Sequence, residues 1–200
     1  MTEIYDVNRK IIISEPISEE LAERVVSQIM AVNDFDEHMQ AQYNNYQIKP
    51  IEMFINSGGG SVTAGNSIIF AMELSETPIV TYAMGSIASM ALGIYIVGDI
   101  RIAHRFSRFM YHSLGYGSEG KINEHQDSIT EANVLQEMYD SLFIDRTFLT
   151  QEDLTELRNK RKDYFFSSKK AIKLGVADEI LEKPKRIVEV IEEEELQDIL

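Results

Sequence analysis

Two stretches of this 200-residue chain put reactive side chains where backbone geometry could activate them. AMGSIASMALGIYIVG, from Ala83 to Gly98, is an apolar run interrupted by Ser86 and Ser89. Ser89 falls where a strand gives way to a helix, and the positive helix end there favours a developing alkoxide or oxyanion. His112 closes the apolar run RFMYH. An imidazole titrates near neutrality, so a histidine at a strand end is a plausible general base. NSGGGSV, from Asn56 to Val62, could turn bare N–H groups toward a site as an oxyanion hole. Each feature also has a plain structural reading: a small residue for close packing, a satisfied edge histidine, and a tight turn whose glycines supply φ > 0. The residues alone leave both readings open.

Several chemistries are excluded. No GK[ST] follows the glycines, and the dinucleotide fingerprint fails because position 63 is Thr. Neither serine fits the G-x-S-x-G elbow. There is no cysteine, hence no disulfide framework and no thiolate nucleophile or ligand. His38, His104 and His125 sit in polar settings and read as surface residues. Four histidines without matching carboxylate spacing suggest no metal site, and no cofactor is expected. A net charge of −14 argues against unspecific binding to nucleic acid or anionic membranes. The longest nearly uncharged stretch is short for a bilayer span. The N-terminus has no basic-then-apolar signal pattern, and the expectation is a soluble, cytoplasmic protein.

The elements that must position these residues alternate in type. Lys10–Ser14 reads as a strand, and Ser18 as the N-cap of a helix carrying Leu21, Val25, Ile29 and Val32 at helical spacing. The polar, Asn/Gln-rich stretch from Asp34 to Gln47 reads as an exposed connection. Ile51–Ile55 and Pro78–Met84 read as strands, with a helix between them. This pattern gives an α/β fold with a largely parallel sheet, in which sites form at the carboxyl ends of strands. After a GYGSEGK linker, a long helix carries an apolar stripe of Ile122, Ile129, Ala132, Leu135, Met138, Leu142 and Leu149. Such a helix rarely stands alone, and packing against a partner subunit is expected. Thr150 with Asp153 resembles a capping box. The segment from Ser167 to Leu181 reads as a helix stopped at Gly175 and a closing strand.

Joined in order, FINSGGGSVTAG, GSIASM, SRFMYH and KDYFFSSKKAIKLGVADEIL resemble the proteolytic subunit of the Clp protease, ClpP, over about Arg9 to Leu181. The resemblance implies a ClpP/crotonase-like spiral of βαβ units with a protruding handle made of a strand and a long helix. It implies a serine endopeptidase with Ser89 as nucleophile, His112 as base and Asp163 as the acid orienting the imidazole. The amides of Gly60 and Met90 would form the oxyanion hole. Gly59, Ser61, Val62 and Ser113 would flank an extended substrate. Ser86 is read as packing. Nothing local singles out Asp163 among 33 acidic residues. Residues 1–112 and 161–182 would form the head, 113–160 the handle, and 183–200 an acidic tail. The implied assembly is two stacked heptameric rings enclosing a chamber. It would be fed peptides or unfolded protein, with an AAA+ unfoldase as the usual partner.

The chain departs from the family pattern at several points. Gly58 replaces a proline, Lys162 replaces an arginine that pairs across the rings, and the proline after the histidine strand is missing. Only about ten residues precede the first strand, which bears on pore gating and unfoldase docking. The connection at Asp34–Gln47 is longer than usual, and the acidic run Glu192–Glu195 has no counterpart. These features point to a divergent or phage-encoded member. Rival readings are a non-catalytic ring subunit, a crotonase-type acyl-CoA enzyme, and a Ser–Lys peptidase.

Overall fold

A computed structural model describes residues 7–117, 119–160 and 163–181. Lys162, the tail at 183–200 and the first six residues lie outside them. The elements in chain order are β1 (Lys10–Ile13), α1 (Glu19–Gln42), β2 (Ile51–Ser57), α2 (Val62–Glu73), β3 (Ile79–Ala88), α3 (Met90–Ile96), β4 (Ile100–His104), β5 (Arg108–Tyr111), α4 (Ile122–Arg146), α5 (Gln151–Asn159), β6 (Tyr164–Ser167), α6 (Ser168–Lys173) and β7 (Glu179–Leu181). The strands β1, β2, β3, β4 and β7 lie side by side in that order, all parallel.

The long third strand forks the sheet. Val80–Ala83 pair with β4, whereas Ser86–Ala88 pair with β5, which takes β6 as an antiparallel neighbour. Gly85 marks the bend. A Cβ there would collide with the Asn56 side chain, whose Oδ1 accepts the Ser86 N–H at 2.9 Å. The hydroxyl-bearing end of β3 is thereby turned toward β5. Ser86 itself is exposed rather than packed, because the pleat places its side chain on the outer face.

The core lies between the sheet and the helices α1, α2 and α3, with Ile13, Ile29, Ile55, Ile68, Ile87 and Tyr95 fully buried. Each such side chain contributes roughly 1.5–3 kcal/mol on leaving water. Ser18 caps α1, accepting from Leu21 N–H, and Thr150 with Asp153 caps α5 reciprocally, as their types predict.

The exposed connection expected at Asp34–Gln47 is largely helix. α1 continues to Gln42 with Asp36 and Met39 buried, because Arg9 reaches in and satisfies the carboxylate. Arg9 donates to both Asp36 oxygens at 2.9 and 2.5 Å, and Thr77 and Tyr46 hydroxyls donate at 2.5 Å each. Burial pushes the Asp36 carboxyl up, yet these donors outweigh it and hold the pKa below the usual carboxylate value.

The long helix α4 turns a second face, beside the expected apolar stripe, toward the core. Its buried residues are Tyr139, Asp140 and Phe143; Tyr139 and Phe143 follow Met138 and Leu142 of the stripe by one position, and Asp140 follows Met138 by two. One residue is about 100° of helix rotation. Of the stripe, Ile122 is 85% exposed and Ile129 and Met138 are also exposed, whereas Ala132, Leu135, Leu142 and Leu149 are half-buried, Leu149 lying beyond the end of α4. The chain from His112 to Gly117 has no sheet partner among the described residues. No helix among them is long and apolar enough to cross a membrane.

Candidate active site

Ser89 occupies the hinge between β3 and α3. Its N–H donates to Met110 O at 3.0 Å, which carries the β3–β5 pairing one residue past the strand end. Its carbonyl accepts from Leu92 N–H at 2.8 Å, Gly93 N–H at 3.3 Å and the Tyr139 hydroxyl at 2.7 Å. Held on both sides, Ser89 adopts φ 52°, the one positive φ outside glycine among the described residues. Its side chain makes no capping bond, so the hydroxyl projects from the helix mouth. Every residue of α3 behind it is buried, which fixes the platform.

His112 is the residue after β5, and Asp163 is the residue before β6. The antiparallel register pairs Tyr111 with Tyr164, so one further step brings residues 112 and 163 opposite each other. His112 Nε2 lies 2.8 Å from Ser89 Oγ, within hydrogen-bond reach. With Nε2 unprotonated, the serine hydroxyl donates to it. His112 Nδ1 lies 3.9 Å from Asp163 Oδ1, within ion-pair range and beyond a hydrogen bond. The His112 side chain is 32% exposed and that of Asp163 56%.

The glycine loop lies directly against the serine. Gly59 (φ 98°) is buried, and a Cβ there would come within 2.6 Å of Ser89 Cβ and 2.9 Å of Ala88 O. Gly60 is bracketed by Ile17: Ile17 N–H donates to Gly59 O at 2.9 Å, and Ser61 N–H donates to Ile17 O at 2.8 Å. The Gly60 N–H stays outside that pairing. The Met90 N–H opens α3 and has no partner in its own helix. A strand-end hydroxyl, an imidazole within hydrogen-bond reach of it and two amides outside the local pairing are the parts that acyl transfer requires.

Ser61 caps α2, its hydroxyl accepting from Ala64 N–H at 3.2 Å and sharing hydrogen bonds with Thr63 and Glu19. Val62 is half-buried as the first residue of α2, and Ser113 is exposed beyond His112. Tyr139 and Tyr111 border Ser89 and His112 and are not among the site residues expected from the sequence. Two tyrosines set among apolar residues near the site were the available signal. Burial raises both phenol pKa values, with Arg158 opposing the rise at Tyr111, so both hydroxyls remain donors at neutral pH. Among the described residues, no cluster of His, Asp and Glu side chains forms a possible metal site.

A family model described as Clp protease matches residues 2–184. An ATP-dependent Clp protease proteolytic subunit from Deinococcus radiodurans is 27% identical over 180 residues, covering 89% of this chain and 82% of that one. A protein of the same name from Pleurastrum terricola is 31% identical over 172 residues, 85% of this chain and 82% of its own. Among solved structures, a ClpP1 mutant from Listeria monocytogenes superposes with a TM-score of 0.74 at 24% identity, covering 88% of this chain and 92% of that one. That likeness shows the fold.

Proposed function

Because the chain belongs to the Clp protease family, we propose that its peptidase chemistry runs through Ser89, His112 and Asp163. The activity is peptide-bond hydrolysis by a serine endopeptidase of the ClpP type. His112 Nε2 takes the Ser89 proton as Oγ attacks the carbonyl carbon of a peptide bond. The oxyanion that forms is received by Gly60 N–H and Met90 N–H, each such donor typically contributing about 2.7–4 kcal/mol. The imidazolium then gives its proton to the departing amine, leaving an acyl group on Ser89. Water, deprotonated by the same imidazole, releases the acid and regenerates the hydroxyl.

Asp163 stabilises the imidazolium through Nδ1. Doing so by a hydrogen bond requires a closure of roughly 1 Å from the present 3.9 Å. The observation that most supports this assignment is the 2.8 Å approach of His112 Nε2 to Ser89 Oγ. A substrate strand would lie between the Gly59–Val62 segment and the chain at Ser113.

Assembly belongs to the same proposal. Residues 1–112 and 161–182 act as the head and 113–160 as the handle, which interlocks two heptameric rings. The open apolar positions at Ile122, Ile129 and Met138 support a partner-facing role for α4. The particle lies in the cytoplasm, and its enclosed chamber is fed with unfolded chains by an AAA+ unfoldase.

The test is covalent labelling with a fluorophosphonate, located by peptide mass. Label on Ser89 in the wild type, and none in Ser89→Ala, is the expected result. An unlabelled protein with intact fold and native mass would remove the assignment.

A further inference from the structure

We propose that Asp140, with Gln136 and Tyr139 on the same face of α4, is a positioning hub that sets the alignment of the proposed site; the inference rests on the roles given above to Ser89 and His112. Asp140 is only 2% exposed, and its partners lie beside the site residues in the chain. The Tyr111 hydroxyl donates to Asp140 Oδ1 at 2.6 Å, and Tyr111 immediately precedes His112. Arg158 of α5, whose chain leads on to Asp163, forms an ion pair with Asp140. Gln136 Nε2 donates to Asp140 Oδ1 at 2.8 Å, while its Oε1 accepts Leu114 N–H at 2.8 Å. His112 is therefore flanked on both sides by residues tied to one short stretch of α4.

The residue before Asp140 completes the arrangement. Tyr139 donates its hydroxyl to Ser89 O, and its ring stacks on that of Tyr111 with centroids 5.9 Å apart at 10°. Phe143 meets both rings edge-on at 5.2 and 5.0 Å. Residues 136, 139, 140 and 143 share a helix face by their three- and four-residue spacing. A displacement of α4 would thus be felt at the nucleophile and the base together. A misplacement of about 1 Å can cost on the order of 100-fold in rate.

The experiment follows fluorophosphonate labelling against time on the full chain, alongside peptide hydrolysis. Tyr139→Phe deletes one hydroxyl and keeps the ring; Asp140→Asn keeps the shape and removes the charge opposite Arg158. The expected labelling rate falls about 10-fold for Tyr139→Phe and about 100-fold for Asp140→Asn. Both should reach the wild-type end-point stoichiometry, with kcat falling in step and KM within about twofold of wild type. Labelling of fewer sites at the wild-type rate would mean lost folded protein and would overturn the hub. So would wild-type rates in Tyr139→Phe, which keeps the test decisive if Asp140→Asn does not fold. A wild type that takes no label defeats the Ser89 assignment and the hub with it. A labelled wild type matched by Tyr139→Phe defeats the hub alone.

Discussion

Ser89 sits between two buried elements, β3 and α3, with its N–H and carbonyl both bonded, whereas Asp163 stands at the open start of β6 with its side chain 56% exposed. His112 joins the two, touching the serine at 2.8 Å and standing 3.9 Å from the carboxylate. Ser89 is placed by packing that cannot relax without opening the core. The carboxylate is placed by a single strand register. The serine–histidine side is set by packing, and the carboxylate side stands about 1 Å beyond hydrogen-bond range.

The bluntest way to break this contrast is Ser89→Ala, which should abolish peptide hydrolysis while leaving the native mass unchanged. Residual turnover within tenfold of wild type would mean another residue attacks. Gly59→Ala comes next. The methyl group would need to occupy space held by Ser89 Cβ at 2.6 Å, on a backbone at φ 98°. Displacement of the serine should cut kcat about 100-fold or more, and unchanged kcat would show the loop to be freer than its packing implies.

Asp163→Asn sharpens the other side. The corresponding change in the Ser-His-Asp enzyme that serves as the general template costs about 10⁴-fold. A carboxylate beyond hydrogen-bond range and half in water should cost less, about 10- to 100-fold in kcat. A full 10⁴-fold drop would show that the acid closes fully onto His112 during turnover. The smallest effect is expected from Gly58→Pro. Nothing lies within 4 Å of a Cβ at Gly58, and its φ is not positive. Restricting the unfolded chain there should add about 0.4–1 kcal/mol of stability, a rise in melting temperature of roughly 1–4 °C. A lower melting temperature would show that the loop needs the glycine.

The same contrast explains what could be read from residues in order. Ser89 was visible because a strand, a small polar interruption and a helix follow one another locally. The start of α1 was visible through Ser18 and the spacing of Leu21, Val25, Ile29 and Val32, all four of them buried. Its end was not, because the next inward position is Asp36, a polar residue made burial-compatible by Arg9 from 27 residues away. β4 escaped notice because IRIAH mixes charge and apolar residues over five positions, and its parallel neighbours lie far along the chain. Asp163 has no local mark. Only the pairing of β5 with β6 carries it to His112, and the family resemblance stood in for that pairing. The inward face of α4 was not legible, because Tyr139 and Asp140 find polar partners inside the protein, which a count of apolar spacing does not register.

The left-handed backbone of Ser89 has a consequence beyond chemistry. A side chain at φ 52° is strained by about 1–3 kcal/mol, and glycine would sit there with more ease. A protein shaped for durability alone would put glycine at that hinge. Keeping serine there means tolerating a permanent discomfort at one residue, and Ser89→Gly should yield a sturdier molecule that lacks the proposed nucleophile.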